Sequence, residues 1–188
     1  VDDCPGVVVL SKTRERDLEM RAHKPIKMRI ETPDEVGLDL STIYPEQKQA
    51  KAMVVLAHAM MVDRRTFINS GLIKSLLEQG FAVASFNFRG RGTEALPDWS
   101  YADLVDFDVP TVLHSVRQQT QLPLFWLGHS LGGHVGLAAL GKGYLRDFDG
   151  MLLVSTNVWL PSLESNFRRR LKKSLIMFVI RIILGFLD

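Results

Sequence analysis

Residues 128–133 read Gly-His-Ser-Leu-Gly-Gly, and this stretch decides which fold the chain is expected to have. The residues before it, 124–127, are apolar and half aromatic, which is typical of a strand inside a parallel sheet. The residues after it, 131–140, are rich in Gly, Ala and Leu and predict a helix packed closely on that sheet. A sharp turn from strand to helix therefore falls on Ser130, and the flanking glycines suit it because they carry no Cβ.

A serine held in such a turn is a candidate nucleophile. A serine hydroxyl reacts poorly until it is held in place and deprotonated by a base, and the turn meets the first of these needs. The bare Gly-x-Ser-x-Gly spacing is a weak signal, since it arises by chance in about one chain in twenty of this length. The flanking strand and helix and the additional Gly133 strengthen it against the alternative, a glycine-rich turn with an idle serine. We expect a strained backbone at Ser130.

The rest of the chain alternates strands with helices. Besides the strand before Ser130, apolar runs predict strands at 28–31, 37–44, 51–57, 80–87 and 150–155. After the strand at 51–57, apolar residues recur at helical spacing over residues 67–79 and predict a helix there. Such alternation predicts an α/β fold with a doubly wound, mostly parallel sheet, whose reactive loops gather at the carboxyl ends of the strands.

Three motifs in a fixed order carry a family resemblance. They are His58-Ala59-Met60 after one strand, Asn87-Phe88-Arg89-Gly90-Arg91-Gly92 after the next, and residues 128–133 after the third. From about Met28 to its end, the chain resembles the front part of an α/β-hydrolase. Lid-bearing esterases, lysophospholipases and S33-type serine peptidases are the most similar members. Two positions depart from the family pattern, because Ala59 stands for a glycine and Asn87 for an aspartate.

The resemblance implies a serine hydrolase that cleaves a carboxylic ester, thioester or amide through an acyl-enzyme on Ser130. The reaction passes through an oxyanion, and the family pattern supplies backbone N–H donors for it from Leu131 and Met60. His58 is implied to support the oxyanion loop. A small acyl-containing substrate is expected, and no cofactor or metal. The alternative is a non-catalytic or truncated protein of this fold, which binds an apolar ligand without turnover.

The acid and histidine of a catalytic triad are not evident after Ser130. In this family they follow the serine along the chain, the acid first. The only later histidine, His134, is on the serine's own helix, and Asp147 and Asp149 precede the last predicted strand, at the wrong edge of the sheet. We therefore expect both residues to lie beyond residue 188 and this chain alone to be inactive.

The C-terminal part combines a basic cluster with an apolar run. Residues 1–160 are predicted to form the front of the hydrolase core, and residues 161–188 to begin a helical lid. There Arg168-Arg169-Arg170-Leu171-Lys172-Lys173 precedes an apolar run interrupted by Arg181. A membrane-spanning helix needs about 20 apolar residues, and this run is shorter and contains Arg181, so we do not expect it to span a membrane. The alternative to a lid helix is peripheral contact of residues 168–187 with an anionic membrane surface.

The composition of the chain indicates which partners and which cellular compartment to expect. The formal net charge of +2 over 188 residues gives no reason to expect a nucleic-acid partner. The single cysteine, Cys4, cannot form an internal disulfide and fits a reducing compartment. The apolar run at residues 7–10 is too short for a secretory signal. We therefore expect a cytoplasmic protein.

Overall fold

The computed structural model describes residues 24–46, 49–91, 98–146 and 148–156. In this part of the chain the strands are β1 (Ile26–Glu31), β2 (Gly37–Ile43), β3 (Met53–Ala57), β4 (Ala82–Phe86), β5 (Leu124–His129) and β6 (Gly150–Val154). The six strands form one sheet, in the order β1-β2-β4-β3-β5-β6. Pairing is antiparallel between β1 and β2 and between β2 and β4, and parallel between the remaining neighbours.

Helices connect the parallel strands. They are α1 (Arg65–Asn69), α2 (Leu72–Glu78), α3 (Tyr101–Asp103), α4 (Val109–Gln119) and α5 (Leu131–Gly141), with a π-helical segment, Leu104–Asp108, between α3 and α4. The single helix predicted over 67–79 is wrong, because the chain forms α1 and α2 there. Gly71 separates them with a φ of 80°. This left-handed conformation ends a helix and suits glycine, which has no Cβ to clash.

The sheet separates two hydrophobic layers. Along β3, Met53, Val55 and Ala57 belong to one buried cluster, which includes side chains from α4 and α5. Val54 and Leu56 belong to the other cluster, which includes side chains from α1 and α2. Because helices cover both faces, every residue of β3 and β4 is buried. The sequence of β3 is a continuous apolar run, and that of β4 is apolar except for the buried Ser85. The predicted doubly wound α/β sheet is thereby confirmed.

The parallel strands bring the three sequence motifs to one edge of the sheet. In the register of the sheet, Ala57 at the end of β3 pairs with Gly128 near the end of β5. On the other side of β3, Leu56 pairs with Ser85 of β4. The loops that leave β4, β3 and β5 are consequently neighbours, with the loop after β3 in the middle.

The predicted lid, residues 161–188, and the predicted membrane-contact segment, residues 168–187, lie outside the described residues. Within the described ranges, no helix is long and apolar enough to cross a membrane. β6 forms one edge of the sheet in these ranges, and its side chains Leu152, Leu153 and Val154 are exposed.

Candidate active site

Ser130 joins β5 to α5 in a strained turn. Its φ of 49° and ψ of −108° fall in a region that residues other than glycine rarely adopt. The Ser130 N–H donates to the Val154 carbonyl at 2.9 Å, and the Ser130 carbonyl accepts from the N–H groups of Gly133 and His134 at 3.0 and 3.1 Å. These bonds to β6 and α5 hold the turn, and the strained backbone expected at Ser130 is present.

Glycines let α5 lie directly against the sheet. A Cβ on Gly132 would overlap the backbone carbonyl of Ala57, and a Cβ on Gly128 would lie 2.5 Å from backbone atoms of Gly133. Neither obstacle is a side chain that can turn away. The glycines on the two sides of Ser130 are therefore needed for the close approach of helix and strands.

We expect Gly132→Ala to lower the free energy of unfolding by about 1–3 kcal/mol, because the added methyl group forces the backbone of α5 away from β3. Gly141, at the other end of α5, is a matched control, since a Cβ there meets nothing within 4 Å. Gly141→Ala should raise stability by about 0.5–1 kcal/mol, because alanine loses less conformational entropy in a helix. Urea denaturation compares the two variants. Equal stabilities would contradict the close packing at Gly132.

The loop after β3 approaches the serine turn. The Gly132 N–H donates to the His58 carbonyl at 3.1 Å and so ties this loop to the first turn of α5. Among the described residues, the N–H groups of Met60 and Leu131 donate to no acceptor. Two unpaired backbone donors thus belong to the two segments that this bond brings together.

The His58 ring is buried and uses both of its nitrogens. Nε2 accepts from the Phe88 N–H at 3.1 Å, which leaves the proton on Nδ1, and Nδ1 donates to the Ala59 carbonyl at 2.8 Å. Burial lowers the pKa of His58 below its usual value and favours the neutral ring. The ring joins the loops after β3 and β4 and has no nitrogen available for Ser130.

We expect His58 to make stability depend on pH. Its pKa is lowered on folding from the usual 6.5, so the unfolded chain takes up the proton first and acid favours unfolding. The free energy of unfolding should fall below pH 6.5 with a slope approaching about 1.4 kcal/mol per pH unit from this one group. Urea denaturation between pH 7.5 and 5.5 measures the slope. His58→Gln should reduce it and His114→Gln, at an exposed position on α4, should not; the same slope in both variants would contradict this account.

The two departures from the family pattern keep polar contacts in the loops. Ala59 is buried, and its carbonyl accepts the bond from His58. Asn87 Oδ1 accepts from the N–H of Arg64, just before α1, at 2.9 Å. The amide oxygen of Asn87 therefore serves as the acceptor that a carboxylate would provide.

The described residues place no base beside Ser130. No histidine ring in the described ranges is hydrogen-bonded to its hydroxyl. Asp149 lies at the opposite edge of the sheet, as predicted, where its carboxylate accepts from the Leu124 N–H at 2.7 Å at the start of β5. Asp147 is outside the described residues. The same ranges contain no cluster of His, Cys, Asp and Glu suited to a metal ion.

Sequence reasoning missed an ion-pair network behind the second motif. Arg89 is buried, and its Nε lies 2.7 Å from Asp108 Oδ1 while its backbone N–H donates to Oδ2 at 2.9 Å. Its Nη1 and Nη2 donate to Asp34, in the β1–β2 turn, at 2.6 and 3.0 Å. Since Phe88 precedes Arg89, the network anchors the loop that binds His58. The arginine was visible in the motif, but its partners lie 19 and 55 residues away and follow no spacing rule.

The two carboxyl groups of this network differ in their pKa. Hydrogen bonds from the Arg89 guanidinium hold the pKa of Asp34 at about 2. Burial raises the pKa of Asp108 to about 6, against the lowering effect of its hydrogen bonds with Arg89. The buried carboxylate of Asp108 therefore depends on the arginine for its charge.

Comparisons with known proteins found one matching family and a curated relative. A family profile described as serine aminopeptidase, S33, matches residues 48–184. Triacylglycerol lipase 2 of Arabidopsis thaliana is 28% identical over 109 residues, which cover 50% of this chain and 26% of the lipase. The chain thus spans about a quarter of the length of this curated relative.

Solved structures share the fold. A thermostable carboxyl esterase from Bacillus coagulans has 20% identity and a TM-score of 0.60, with coverage of 69% of this chain and 43% of the esterase. The esterase Pf2001 of Pyrococcus furiosus has 18% identity and a TM-score of 0.63, with coverage of 84% and 58%. XC6422 of Xanthomonas campestris, described as a serine hydrolase without a lid, has 21% identity and a TM-score of 0.59, with coverage of 77% and 65%.

Proposed function

Because the chain belongs to the serine aminopeptidase S33 family of α/β-hydrolases, we propose that Ser130 is the nucleophile of a hydrolase that cleaves a carboxylic ester, thioester or amide. The observation that carries the proposal is the strained turn at Ser130, held against a loop whose Met60 N–H has no acceptor among the described residues. Such a turn supports the proposal because, in a nucleophile elbow, it presents the serine hydroxyl at the edge where the loops meet, and Ser130 is half-buried there.

Stabilisation of the oxyanion is the first task of such a site. When the Ser130 oxygen attacks the substrate carbonyl, negative charge develops on the carbonyl oxygen. The N–H groups of Leu131 and Met60 are the proposed donors to it, and the N-terminus of the 11-residue helix α5 adds a partial positive charge. The bonds of His58 to Ala59 and Phe88 support this role, because they restrain the loop that carries Met60.

Proton transfer is the second task. A base takes the hydroxyl proton of Ser130 as the bond to the acyl carbon forms, and returns it to the leaving alcohol, thiol or amine. Water then attacks the acyl-enzyme in the same way and releases the acid. That the acid and histidine lie beyond residue 188 stays a prediction.

The relatives favour an ester among the three substrate classes. Two structural neighbours are named esterases and the curated relative a triacylglycerol lipase, whereas the family description names an aminopeptidase. We therefore propose a small acyl ester as the substrate. The lid at residues 161–188, the membrane contact of residues 168–187, the lack of a nucleic-acid partner and the cytoplasmic location stay predictions.

Covalent labelling tests the nucleophile. We expect an organophosphonate probe to label the whole protein at Ser130, as read by mass spectrometry of its peptides, because the activated hydroxyl displaces the leaving group of the probe. Ser155 is a matched control, since it directly follows the neighbouring strand β6 and also has a positive φ, 51°. Ser155→Ala should label like the wild type. A whole protein that neither labels nor hydrolyses any acyl ester would favour the alternative, a protein that binds an apolar ligand without turnover.

A further inference from the structure

Residues 60–62 form an exposed apolar segment in the loop after β3. Met60, Met61 and Val62 expose 45%, 60% and 36% of their surface, whereas His58 and Ala59 directly before them expose 1% and 8%. Consecutive large apolar side chains on a surface are typical of a binding site. The abrupt change from buried to exposed residues shows that the loop turns these three side chains outward.

Both ends of this segment are held in place. Before it, the His58 ring bonds Ala59 and the loop after β4. After it, the Asp63 carboxylate accepts from the Arg65 N–H at 2.8 Å and pairs with the Arg65 guanidinium at 2.6 Å. The intervening Arg64 N–H donates to the Asn87 side chain. A segment restrained at both ends presents its side chains in a defined position, which lowers the entropy lost on binding.

The backbone at Met61 is strained. Its φ of 63° is one that glycine or asparagine adopts more readily than methionine. Local geometry alone therefore gives no reason for a long apolar side chain at this position. Strain of this kind persists where the surrounding structure imposes it, and it occurs preferentially at ligand-binding sites.

The position of the segment relates it to the serine turn. The loop leaves β3, the strand next to β5, and its root is joined to α5 by the bond from the Gly132 N–H to the His58 carbonyl. In the proposed reaction, the substrate carbonyl accepts a bond from Met60. Its acyl chain, attached to the same carbonyl carbon, then starts beside the next two residues of the loop.

We propose that Met61 and Val62 bind the acyl chain of the substrate and select medium-length fatty acyl esters over acetyl esters. The proposal rests on the proposed function and specifies the substrate class of the same site. Methionine fits this task because its flexible thioether side chain adapts to apolar partners. Burial of the chain methylenes against the segment supplies the preference.

The test is the ratio of kcat/KM for p-nitrophenyl octanoate to kcat/KM for p-nitrophenyl acetate, measured on the whole protein. Met61→Asn replaces the apolar side chain with a polar one that tolerates the positive φ, so the loop conformation is kept. We expect this variant to lower the ratio about tenfold. Val62→Thr exchanges a methyl group for a hydroxyl of similar shape and should lower it by a smaller factor. Leu140→Gln, an exposed leucine in the last turn of α5, is the control and should leave the ratio unchanged.

The outcomes separate this proposal from the proposed function. An unchanged ratio in Met61→Asn, with acetate still hydrolysed and Ser130 still labelled, would refute acyl-chain binding and leave the hydrolase. An unchanged ratio together with a lower melting temperature would show that the segment is covered by another part of the protein. A wild-type protein that prefers acetate would also overturn the proposal. If no ester is hydrolysed and no probe reacts, the proposed function itself fails.

Discussion

Ser130→Ala should lower kcat for p-nitrophenyl acetate by about 10⁴-fold or more in the whole protein. The substitution removes the oxygen that forms the acyl-enzyme, and only binding and the oxyanion donors remain to accelerate hydrolysis. Steady-state kinetics with the short ester measure the loss, because acetate depends least on contacts with the acyl chain.

The matched control is Ser155→Ala, which makes the same substitution at the residue directly after the neighbouring strand β6. Both positions have a positive φ, 49° at Ser130 and 51° at Ser155, so both variants place alanine at a positive φ. Ser155→Ala should retain the wild-type rate. Hydrolysis that survives Ser130→Ala at a comparable rate would show that another group is the nucleophile.

Arg89→Met should lower the free energy of unfolding by about 3–5 kcal/mol at pH 7.5. The Asp108 side chain is 0% exposed, and Arg89 supplies its only ionic partner among the described residues through a contact of 2.7 Å. Removal of the guanidinium leaves the buried carboxylate without an ionic partner, and methionine replaces none of the guanidinium's hydrogen bonds; the backbone N–H of residue 89 still donates to Asp108. Urea denaturation measures the effect.

The pH dependence of Arg89→Met identifies the cause of its instability. Burial already raises the pKa of Asp108 to about 6 from a usual 3.8, and loss of the arginine should raise it further. A group whose pKa is raised on folding stabilises the protein as the pH falls, because the folded state binds the proton more tightly. Part of the lost stability should therefore return between pH 7.5 and 5.5.

Asp34→Asn is the control for this network. The Asp34 side chain is 31% exposed, so its ion pair with Arg89 is partly screened by solvent. We expect a loss of about 0–1 kcal/mol at pH 7.5. A loss as large as that of Arg89→Met would show that the outer ion pair, and not the buried one, carries the stability.

Elements with strong local patterns were predicted closely. The strand before Ser130 and the helix after it were expected at 124–127 and 131–140, and the structure has them at Leu124–His129 and Leu131–Gly141. The single helix expected at 67–79 was wrong, because apolar spacing continues across Gly71 although Gly71 has a left-handed conformation that interrupts the helix. Apolar periodicity indicates which side chains are buried. Two short helices packed on the same face of the sheet have nearly the same spacing of apolar residues as one long helix.

The sequence by itself determined the alternation of strands and helices, the glycine-flanked turn at Ser130 and the order of the three motifs along the chain. Each of these depends on residues close to one another in sequence, through burial periodicity and the conformational freedom of glycine.

Only the tertiary structure decided which residues of the motifs contact one another. It joined the His58 ring to Phe88, the His58 carbonyl to Gly132 and Arg89 to Asp108, and it turned residues 60–62 outward. These contacts link residues up to 74 positions apart, as between His58 and Gly132, and they exist because the sheet brings the ends of neighbouring strands together. Hydrogen bonds and ion pairs between distant residues leave no periodic pattern in the sequence, so their partners are visible only once the chain has folded.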